Sequence, residues 1–127
     1  MLDKRDMLTE DKMYKVVIDT NIWISFLIGK SLQKLLDYIL DERIMVYTCS
    51  EQIAELTKSL GKPKLKKYFN SQKIAVFFNF LQEYATIVPI VSEIDVCRDK
   101  KDNYLLSLAM DTQADFLITG DEDLLVL

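Results

Sequence analysis

The sequence predicts an α/β fold in which helices cover both faces of a parallel β-sheet, and three observations indicate it. Short runs rich in β-branched residues alternate along the chain with longer runs of helical periodicity. The strand-like runs are nearly continuous in apolar residues, which is typical of strands that are buried on both faces. Half of the 127 residues are apolar or aromatic, so one domain can bury a sizeable core.

Each element follows from a local pattern of residues. The strands are predicted, from β-branched and aromatic runs, at Tyr14–Ile18, Ile44–Thr48, Thr86–Val91 and Phe116–Thr119. The helices are predicted, from helical spacing of apolar residues, at Asn21–Ile28, Ser31–Asp41, Glu51–Leu60, Pro63–Phe69, Ser71–Tyr84 and Lys101–Thr112. Gly29 separates the first two helices, and the third begins after the N-cap Ser50 and ends at the C-cap Gly61. Pro89 weakens the third strand, because proline cannot donate a hydrogen bond to a neighbouring strand.

The composition excludes several kinds of active site. The chain has no histidine, which rules out a Ser-His-Asp triad, a Cys-His pair and His-ligated zinc within it. Its two cysteines, Cys49 and Cys97, are too few for a Cys-rich zinc site or a disulfide framework, and we expect reduced, partly buried thiols. Acidic residues outnumber basic ones by 20 to 16, which disfavours nonspecific coating of nucleic acid but not an enzyme whose acids hold cations.

We expect a cytoplasmic protein with a single domain over residues 13–127. Residues 1–12 carry seven charges and little periodicity, so we interpret them as a disordered lead-in or an appended remnant. They lack the apolar segment of a signal peptide. The longest uncharged run, Thr20–Gly29, has ten residues. A membrane span needs roughly 20 apolar residues, so no interaction with a membrane is expected.

Several carboxylates are placed where an open parallel sheet binds its ligands, beyond the C-terminal ends of the strands. Asp19 directly follows the first strand, and Asp121 and Asp123 follow the last one. These acids share one edge of the sheet if the two strands are neighbours, which the sequence does not show. Asp102, with Asp99 three residues before it, lies in the first turn of its helix on the face that turns inward.

Each of these acids also has an ordinary structural interpretation. Asp19 could cap the helix that follows it. Asp99 and Asp102 could form a variant of the capping box. Asp121 and Asp123 could belong to a turn. Taken together, acids at two strand ends and at one inward helix start favour a site for Mg²⁺ or Mn²⁺, which prefer hard oxygen ligands.

Four segments resemble, in their order and spacing, the successive motifs of PIN-domain ribonucleases. They are VVIDTNIWIS (Val16–Ser25), SEQIAEL (Ser50–Leu56), CRDKKDNYLLSLA (Cys97–Ala109) and DFLITGDEDLL (Asp115–Leu125). The resemblance is strongest to the VapC-like toxins of toxin–antitoxin pairs and covers nearly all of residues 13–127. It implies a three-layer α/β/α PIN-like fold with a central parallel sheet of four to five strands.

The resemblance implies a metal-dependent endoribonuclease that acts on RNA with Mg²⁺ or Mn²⁺, with an antitoxin protein as partner and a homodimer as the assembly. The acids that it assigns to the site are Asp19, Glu55, Asp102 and Asp121, with Asp123 as an accessory metal ligand. It also places Asn21, Thr119 and Asp99 beside the site, and it assigns no particular role to Asp99. Helical periodicity alone makes Glu55 a solvated surface acid, so only the resemblance points to it.

The sequence departs from the family at its end. Related chains continue past the TGD motif with another strand and a helix, whereas this sequence stops at Leu127. We therefore expect the domain to lack that strand and helix, either through truncation or because its subgroup is short. A missing edge strand would expose backbone groups that can pair with another chain.

A lysine strip, defined as Lys58, Lys62, Lys64, Lys66 and Lys67, lies between the second and third motifs. No acid interrupts residues 58–69. The strip is either a solvated surface or a contact for RNA phosphates, with Tyr68 and Phe69 available for stacking or packing. Five further aromatic residues at helical spacings are expected in the core or in a dimer contact: Trp23, Phe26, Phe77, Phe78 and Phe80.

Two other functions stay open. A haloacid-dehalogenase-like phosphatase would need a second Asp two residues after Asp19, where this chain has Asn21. A receiver domain would need paired early acids and a late lysine, and neither stands at the expected position. A phosphoaspartate trapped on Asp19 would favour this class of enzyme. A non-catalytic PIN-fold module that binds a partner would retain the acids without cleaving RNA.

Overall fold

The computed structural model describes residues 12–29, 31–92, 100–119 and 124–126, and for 100–102 and 124–126 it describes the backbone alone. The strands are β1 (Tyr14–Ile18), β2 (Ile44–Thr48), β3 (Thr86–Ile87), β4 (Phe116–Ile118) and β5 (Leu124–Val126). The helices are α1 (Thr20–Gly29), α2 (Leu32–Leu40), α3 (Ser50–Leu60), α4 (Pro63–Lys66), α5 (Ser71–Tyr84) and α6 (Lys100–Thr112). This order of elements confirms the α/β class.

The sheet has the strand order β3-β2-β1-β4-β5, and its first four strands in that order are parallel. β1 pairs in parallel with β2 on one side and with β4 on the other, and β2 pairs in parallel with β3. β5 runs antiparallel to β4 at the edge of the sheet. The central position of β1 agrees with its composition, because Val16, Val17 and Ile18 are all buried.

Successive residues of β1 face two different layers of helices, as the two-residue period of a strand requires. Val16 and Ile18 pack into a cluster with α1, α3 and α5, whereas Val17 packs into a second cluster with α6. The first cluster includes Trp23, Leu56, Phe77 and Leu81. The second cluster includes Leu105, Leu108 and Ala109. The three-layer α/β/α architecture is therefore confirmed.

The aromatic residues of α1 and α5 belong to the first cluster. Trp23 and Phe77 are buried, and their ring centroids lie 5.8 Å apart. Phe26, Phe78 and Phe80 are partly buried against the same cluster. Full burial of one large apolar side chain stabilises a fold by about 1.5–3 kcal/mol. These rings therefore join α1 to α5 as core residues. The sequence allowed either the core or a dimer contact for them.

The third strand is shorter than predicted. β3 contains two residues, Thr86 and Ile87, instead of the six in Thr86–Val91. The amide of Val88 still donates to the carbonyl oxygen of Thr48, but Pro89 has no amide hydrogen to continue the ladder. The amides of Val91 and Ser92 instead donate to the carboxylate of Asp111, which ends the pairing with β2.

Several other boundaries differ from the prediction. Those of α1, α2, α6 and β4 are displaced by a single residue, so that Gly29 is the last residue of α1 rather than a separator. Ser50 is the first residue of α3 rather than its N-cap, which is Cys49, and the Ser50 hydroxyl donates to the side chain of Glu51. α4 ends at Lys66 rather than at Phe69, and Phe69 packs into the first cluster. Gly61 is the C-cap of α3, as predicted.

The edge strand β5 was not predicted from the sequence. Its residues Leu124–Val126 pair with Phe116–Ile118 of β4, so this edge of β4 is covered along its length. In the part of the chain that the structure describes, no helix is long and apolar enough to cross a membrane.

Candidate active site at the carboxyl edge of the sheet

The carboxyl ends of β1 and β4 lie side by side, which the sequence left undecided. Their register pairs Ile18 with Ile118, and the amide of Asp19 donates to the carbonyl oxygen of Ile118 at 2.9 Å. Asp19 and Thr119 therefore leave neighbouring strands at the same edge, and both are half-buried. An open parallel sheet binds its ligands at this edge.

Asp19 is the residue that starts α1. Its side-chain Oδ1 accepts a hydrogen bond from the amide of Asn21 at 3.1 Å, and its carbonyl oxygen accepts from Ile22 and Trp23. The structural interpretation of Asp19 as a helix cap is therefore correct, and Asn21 contacts it through the backbone. The cap also orients the carboxylate at the positive end of the α1 dipole, which stabilises its negative charge.

Glu55 lies at the same edge and is not the solvated acid that helical periodicity predicts. It is half-buried on α3, and the hydroxyl of Tyr104 donates to its Oε1 at 2.9 Å. The periodicity misled because the inward face of α3 contains a polar residue, the fully buried Gln52, one turn before Glu55. A stripe defined by apolar residues alone is therefore displaced from the true inward face.

Tyr104 joins Glu55 to the start of α1. Its Oη lies 3.1 Å from Oγ1 of Thr20, a buried residue that directly follows Asp19. Burial raises the pKa of Tyr104 well above its ordinary value; the Thr20 hydrogen bond opposes this shift and Glu55 adds to it. Tyr104 is therefore a neutral donor at physiological pH. The sequence did not single it out, since nothing in the pattern of α6 pairs it with a residue of α3.

A second polar network holds the end of β1. The hydroxyl of Thr48 donates to Oε1 of Gln52 at 2.6 Å, and Nε2 of Gln52 donates to the carbonyl oxygen of Ile18 at 2.5 Å. Thr48 ends β2 and Ile18 ends β1, and all three side chains have no exposed surface. This network fixes α3 against the two strand ends and hence positions Glu55 relative to Asp19.

The remaining acids of the resemblance fall partly or wholly outside the described residues. Asp102 lies in the first turn of α6, as predicted, but its side chain is outside them. The residues that lie wholly outside are Asp99, Asp121 and Asp123. Among the side chains that the structure describes, no three from acids, cysteine or histidine form a group that could hold a metal.

The five residues of the lysine strip are all exposed. The strip starts at Lys58 on α3, three residues after Glu55, which is a rise of about 4.5 Å along a helix axis. It continues through the short helix α4. Tyr68 is 46% exposed, with Nζ of Lys67 5.1 Å from its ring centroid. Phe69 is buried and unavailable for stacking on a base, so of the two rings only Tyr68 can make such a contact.

The thiol of Cys49 is fully buried, as expected of a structural cysteine. Burial raises its pKa to about 11, and the nearby Glu51 adds to this shift while amide hydrogen bonds from α3 oppose it. A thiol of this kind is a poor nucleophile at neutral pH. Cys97 lies outside the described residues.

Comparison with known proteins agrees with this geometry. Residues 15–123 match the family described as the PIN domain. An uncharacterized protein of Methanocaldococcus jannaschii, MJ1680, is 37% identical over 116 residues, a stretch that covers 89% of this chain and 74% of that protein. No solved structure shows significant similarity to the chain.

Proposed function

Because the chain belongs to the PIN-domain family, whose members are generally nucleases, we propose that it is a metal-dependent endoribonuclease that hydrolyses RNA phosphodiester bonds. The observation that carries the proposal is the placement of Asp19. This acid caps α1 at the carboxyl edge of the sheet, beside the end of β4. Tyr104 links Glu55 to Thr20, the residue that follows Asp19. The chain has no histidine to act as a general base, so carboxylates and bound cations are suited to that task.

The cations of this proposal are Mg²⁺ or Mn²⁺. The donors fit them, because the described edge offers the carboxylates of Asp19 and Glu55 and the hydroxyl of Thr119, and hard oxygen ligands are what these ions prefer. The residues that would hold the ions are Asp19, Asp102, Asp121 and Asp123. When bound, the ions would activate water and stabilise charge on the phosphate. Glu55 would orient the attacking water, and Asn21, Thr119 and Asp99 would support the ligands.

The lysine strip is proposed to bind the RNA backbone. Its charges begin one helical turn beyond Glu55 and are exposed, so phosphates on either side of the scissile bond could reach them. Contacts of this kind give affinity without sequence specificity. Tyr68 is placed among these lysines and could stack on a base.

Cleavage of a random-sequence pool of labelled single-stranded RNA tests the proposal. We expect the wild-type chain to cleave with Mn²⁺ or Mg²⁺ and to stop when a chelator is added. Asp19→Asn should lower the rate at least ~100-fold, because the loss of a ligand weakens metal-ion catalysis by several kcal/mol. Asp41→Asn, an exposed acid at the end of α2, serves as the control. Equal cleavage by Asp19→Asn and wild type, or no cleavage with either metal, would contradict the proposal.

A toxin role in a toxin–antitoxin pair is proposed on the same resemblance, with the cytoplasm as its location. Expression of the wild-type chain in a bacterial host should arrest growth, and Asp19→Asn should not. Growth arrest by both variants would mean that toxicity does not depend on the carboxyl edge.

An apolar groove supports a second role, the binding of a protein partner. The groove lies between α1, α2 and α5 and has a volume of about 850 Å³. Among the described residues that line it, the charged ones are Lys67 and Lys73, and none is acidic. A symmetric contact between two copies would bring together two identical surfaces, and the described residues that line the groove include no acid to pair with these lysines. The charge therefore favours an acidic, amphipathic helix as the occupant.

A synthetic helical peptide with leucines on one face and glutamates on the other serves as the probe for this groove. We expect binding that weakens with added salt and with Lys67→Glu plus Lys73→Glu, while Lys34→Glu on α2 leaves it unchanged. The expected homodimer is the other occupant that the test resolves. If the chain sediments as a dimer that Val76→Glu dissociates, a second copy fills the groove and the acidic partner is wrong.

A further inference from the structure

One tyrosine contacts two separate segments of the carboxyl edge, the start of α1 and the middle of α3. Tyr104 lies on α6, two residues after Asp102. Its hydroxyl is 2.9 Å from Oε1 of Glu55, which is 49 residues away, and 3.1 Å from Oγ1 of Thr20, which is 84 residues away. The two hydrogen bonds therefore join α6 to α3 and to α1 at the edge where ligands of such a sheet bind.

The direction of these hydrogen bonds follows from the number of protons. A tyrosine hydroxyl has one hydrogen, and here it is donated to the carboxylate of Glu55, which in its ionised form can only accept. The hydroxyl of Thr20 must then donate to Oη of Tyr104. The two hydrogen bonds thus run from Thr20 to Tyr104 and from Tyr104 to Glu55. The bond to Glu55 is the stronger one, because its acceptor is a carboxylate.

The contact also crosses between the two helix layers. Tyr104 packs in the cluster on the α6 face of the sheet, whereas α3 contributes Leu56 and Leu60 to the cluster on the opposite face. A half-buried hydrogen bond between layers restricts the rotamers of Glu55 more than packing within α3 does, since it ties the carboxylate to a second element of the fold. One oxygen of the carboxylate is held, which limits the positions that the other oxygen can take.

We propose that Tyr104 is a positioning residue for the endoribonuclease reaction: it holds Oε1 of Glu55 so that the carboxylate keeps the orientation in which it directs the attacking water. This role rests on the proposed function. Tyr104 acts through Glu55 and touches neither substrate nor cation. A displacement of such a group by about 1 Å is enough to cost a large factor in rate.

Single-turnover cleavage by Tyr104→Phe tests this role, because the substitution removes the hydroxyl and keeps the ring. We expect the rate constant of cleavage to fall about tenfold, the effect of one hydrogen bond to a charged group, while RNA binding is unchanged. Tyr47→Phe is the matched control. Tyr47 packs in the same cluster, and its hydroxyl donates to the sulfur of Met45 rather than to an acid of the edge.

A double-mutant cycle separates positioning from a merely structural role. If Tyr104 acts through Glu55, Tyr104→Phe should have no further effect in a Glu55→Gln background. Independent, additive effects on the rate would overturn the positioning role. Circular dichroism checks that each variant folds. If Tyr104→Phe does not fold, Thr20→Val, which removes the donor to Tyr104, takes its place in the cycle, with a smaller expected decrease of about two- to threefold.

The outcomes distinguish the two proposals. A wild-type chain that cleaves RNA, together with a Tyr104→Phe variant that cleaves as fast, overturns the role of Tyr104 and leaves the endoribonuclease standing. A wild-type chain that cleaves no RNA with Mn²⁺ or Mg²⁺ overturns the endoribonuclease and with it this role.

Discussion

Gln52 donates a hydrogen bond from its buried side chain to the carbonyl oxygen of Ile18, the residue that precedes Asp19, at 2.5 Å. A helix of one layer is thereby bonded to the last peptide of the central strand. The bond satisfies a carbonyl at the end of β1, where the sheet ladder has stopped. The carboxyl edge is therefore a polar site built on buried hydrogen bonds.

Replacement of Gln52 by leucine should destabilise the fold by about 2–4 kcal/mol, since it leaves the Ile18 carbonyl and the Thr48 hydroxyl without partners in the core. Urea unfolding measures this destabilisation. Gln82→Leu on the exposed face of α5 is the matched control and should change stability by less than about 0.5 kcal/mol. A small effect of Gln52→Leu would mean that water or another group replaces the network.

The lysine strip should contribute to the salt dependence of RNA binding. Lys64→Gln with Lys66→Gln should weaken binding to single-stranded RNA and reduce the slope of log K against log salt by about 0.7 for each phosphate that is no longer neutralised. Lys34→Gln on α2, an exposed lysine outside the strip, is the control. An unchanged slope in the double variant would mean that the lysine strip is a solvated surface that does not contact RNA phosphates.

Asp111 should make stability depend on pH at acid values. The hydroxyl of Ser92 and the amides of Val91 and Ser92 donate to its carboxylate and hold its pKa below the usual range. A lowered pKa in the folded state stabilises the fold above the unfolded pKa of about 3.9, and this contribution is lost as pH falls through the folded value.

Urea midpoints of Asp111→Asn and wild type measure this contribution. The variant should be less stable at pH 7, and the difference should shrink as pH falls below the unfolded pKa of about 3.9. Asp37→Asn on the exposed face of α2 is the control. A difference that persists at acid pH would show that Asp111 acts through packing rather than through its charge.

Cys49 should be protected from thiol reagents in the native state. In a Cys97→Ser background, its reaction with a disulfide reagent at about pH 8 should be at least ~100-fold slower than in denaturing urea, because its pKa of about 11 leaves little thiolate. The raised pKa also means that stability falls as pH rises above the unfolded value of about 8.5. Fast native-state labelling would contradict the burial of this thiol.

Much of the fold is predictable because short apolar runs specify the strands and their helices. α5 has the predicted bounds, Ser71–Tyr84, and β1 and β2 do as well. The end of β3 is less predictable, because it depends on where Val91 and Ser92 find a partner, and that partner is Asp111 on a later helix. Local patterns carry no information on such a pairing.

The candidate site was predictable where an acid directly follows a strand. Asp19 lies where the pattern places it, but only the strand order shows that β4 is its neighbour. Glu55 required the family resemblance, since the buried face of α3 contains Gln52, a residue that an apolar stripe omits. Neither the sequence pattern nor the family resemblance pointed to Tyr104, because its hydrogen bonds join residues of three different helices.

Thermal melting with and without Mn²⁺ tests most directly whether the carboxyl edge holds a cation. Saturating Mn²⁺ should raise the melting temperature of the wild-type chain by about 5 °C or more, since a ligand that binds only the native state stabilises it. Asp19→Asn should lose that rise, and its metal-free melting temperature should change little, because asparagine caps a helix about as well as aspartate does. Asp41→Asn should keep the rise. The same rise in Asp19→Asn as in the wild type, or no rise in the wild type, would contradict a cation site at Asp19.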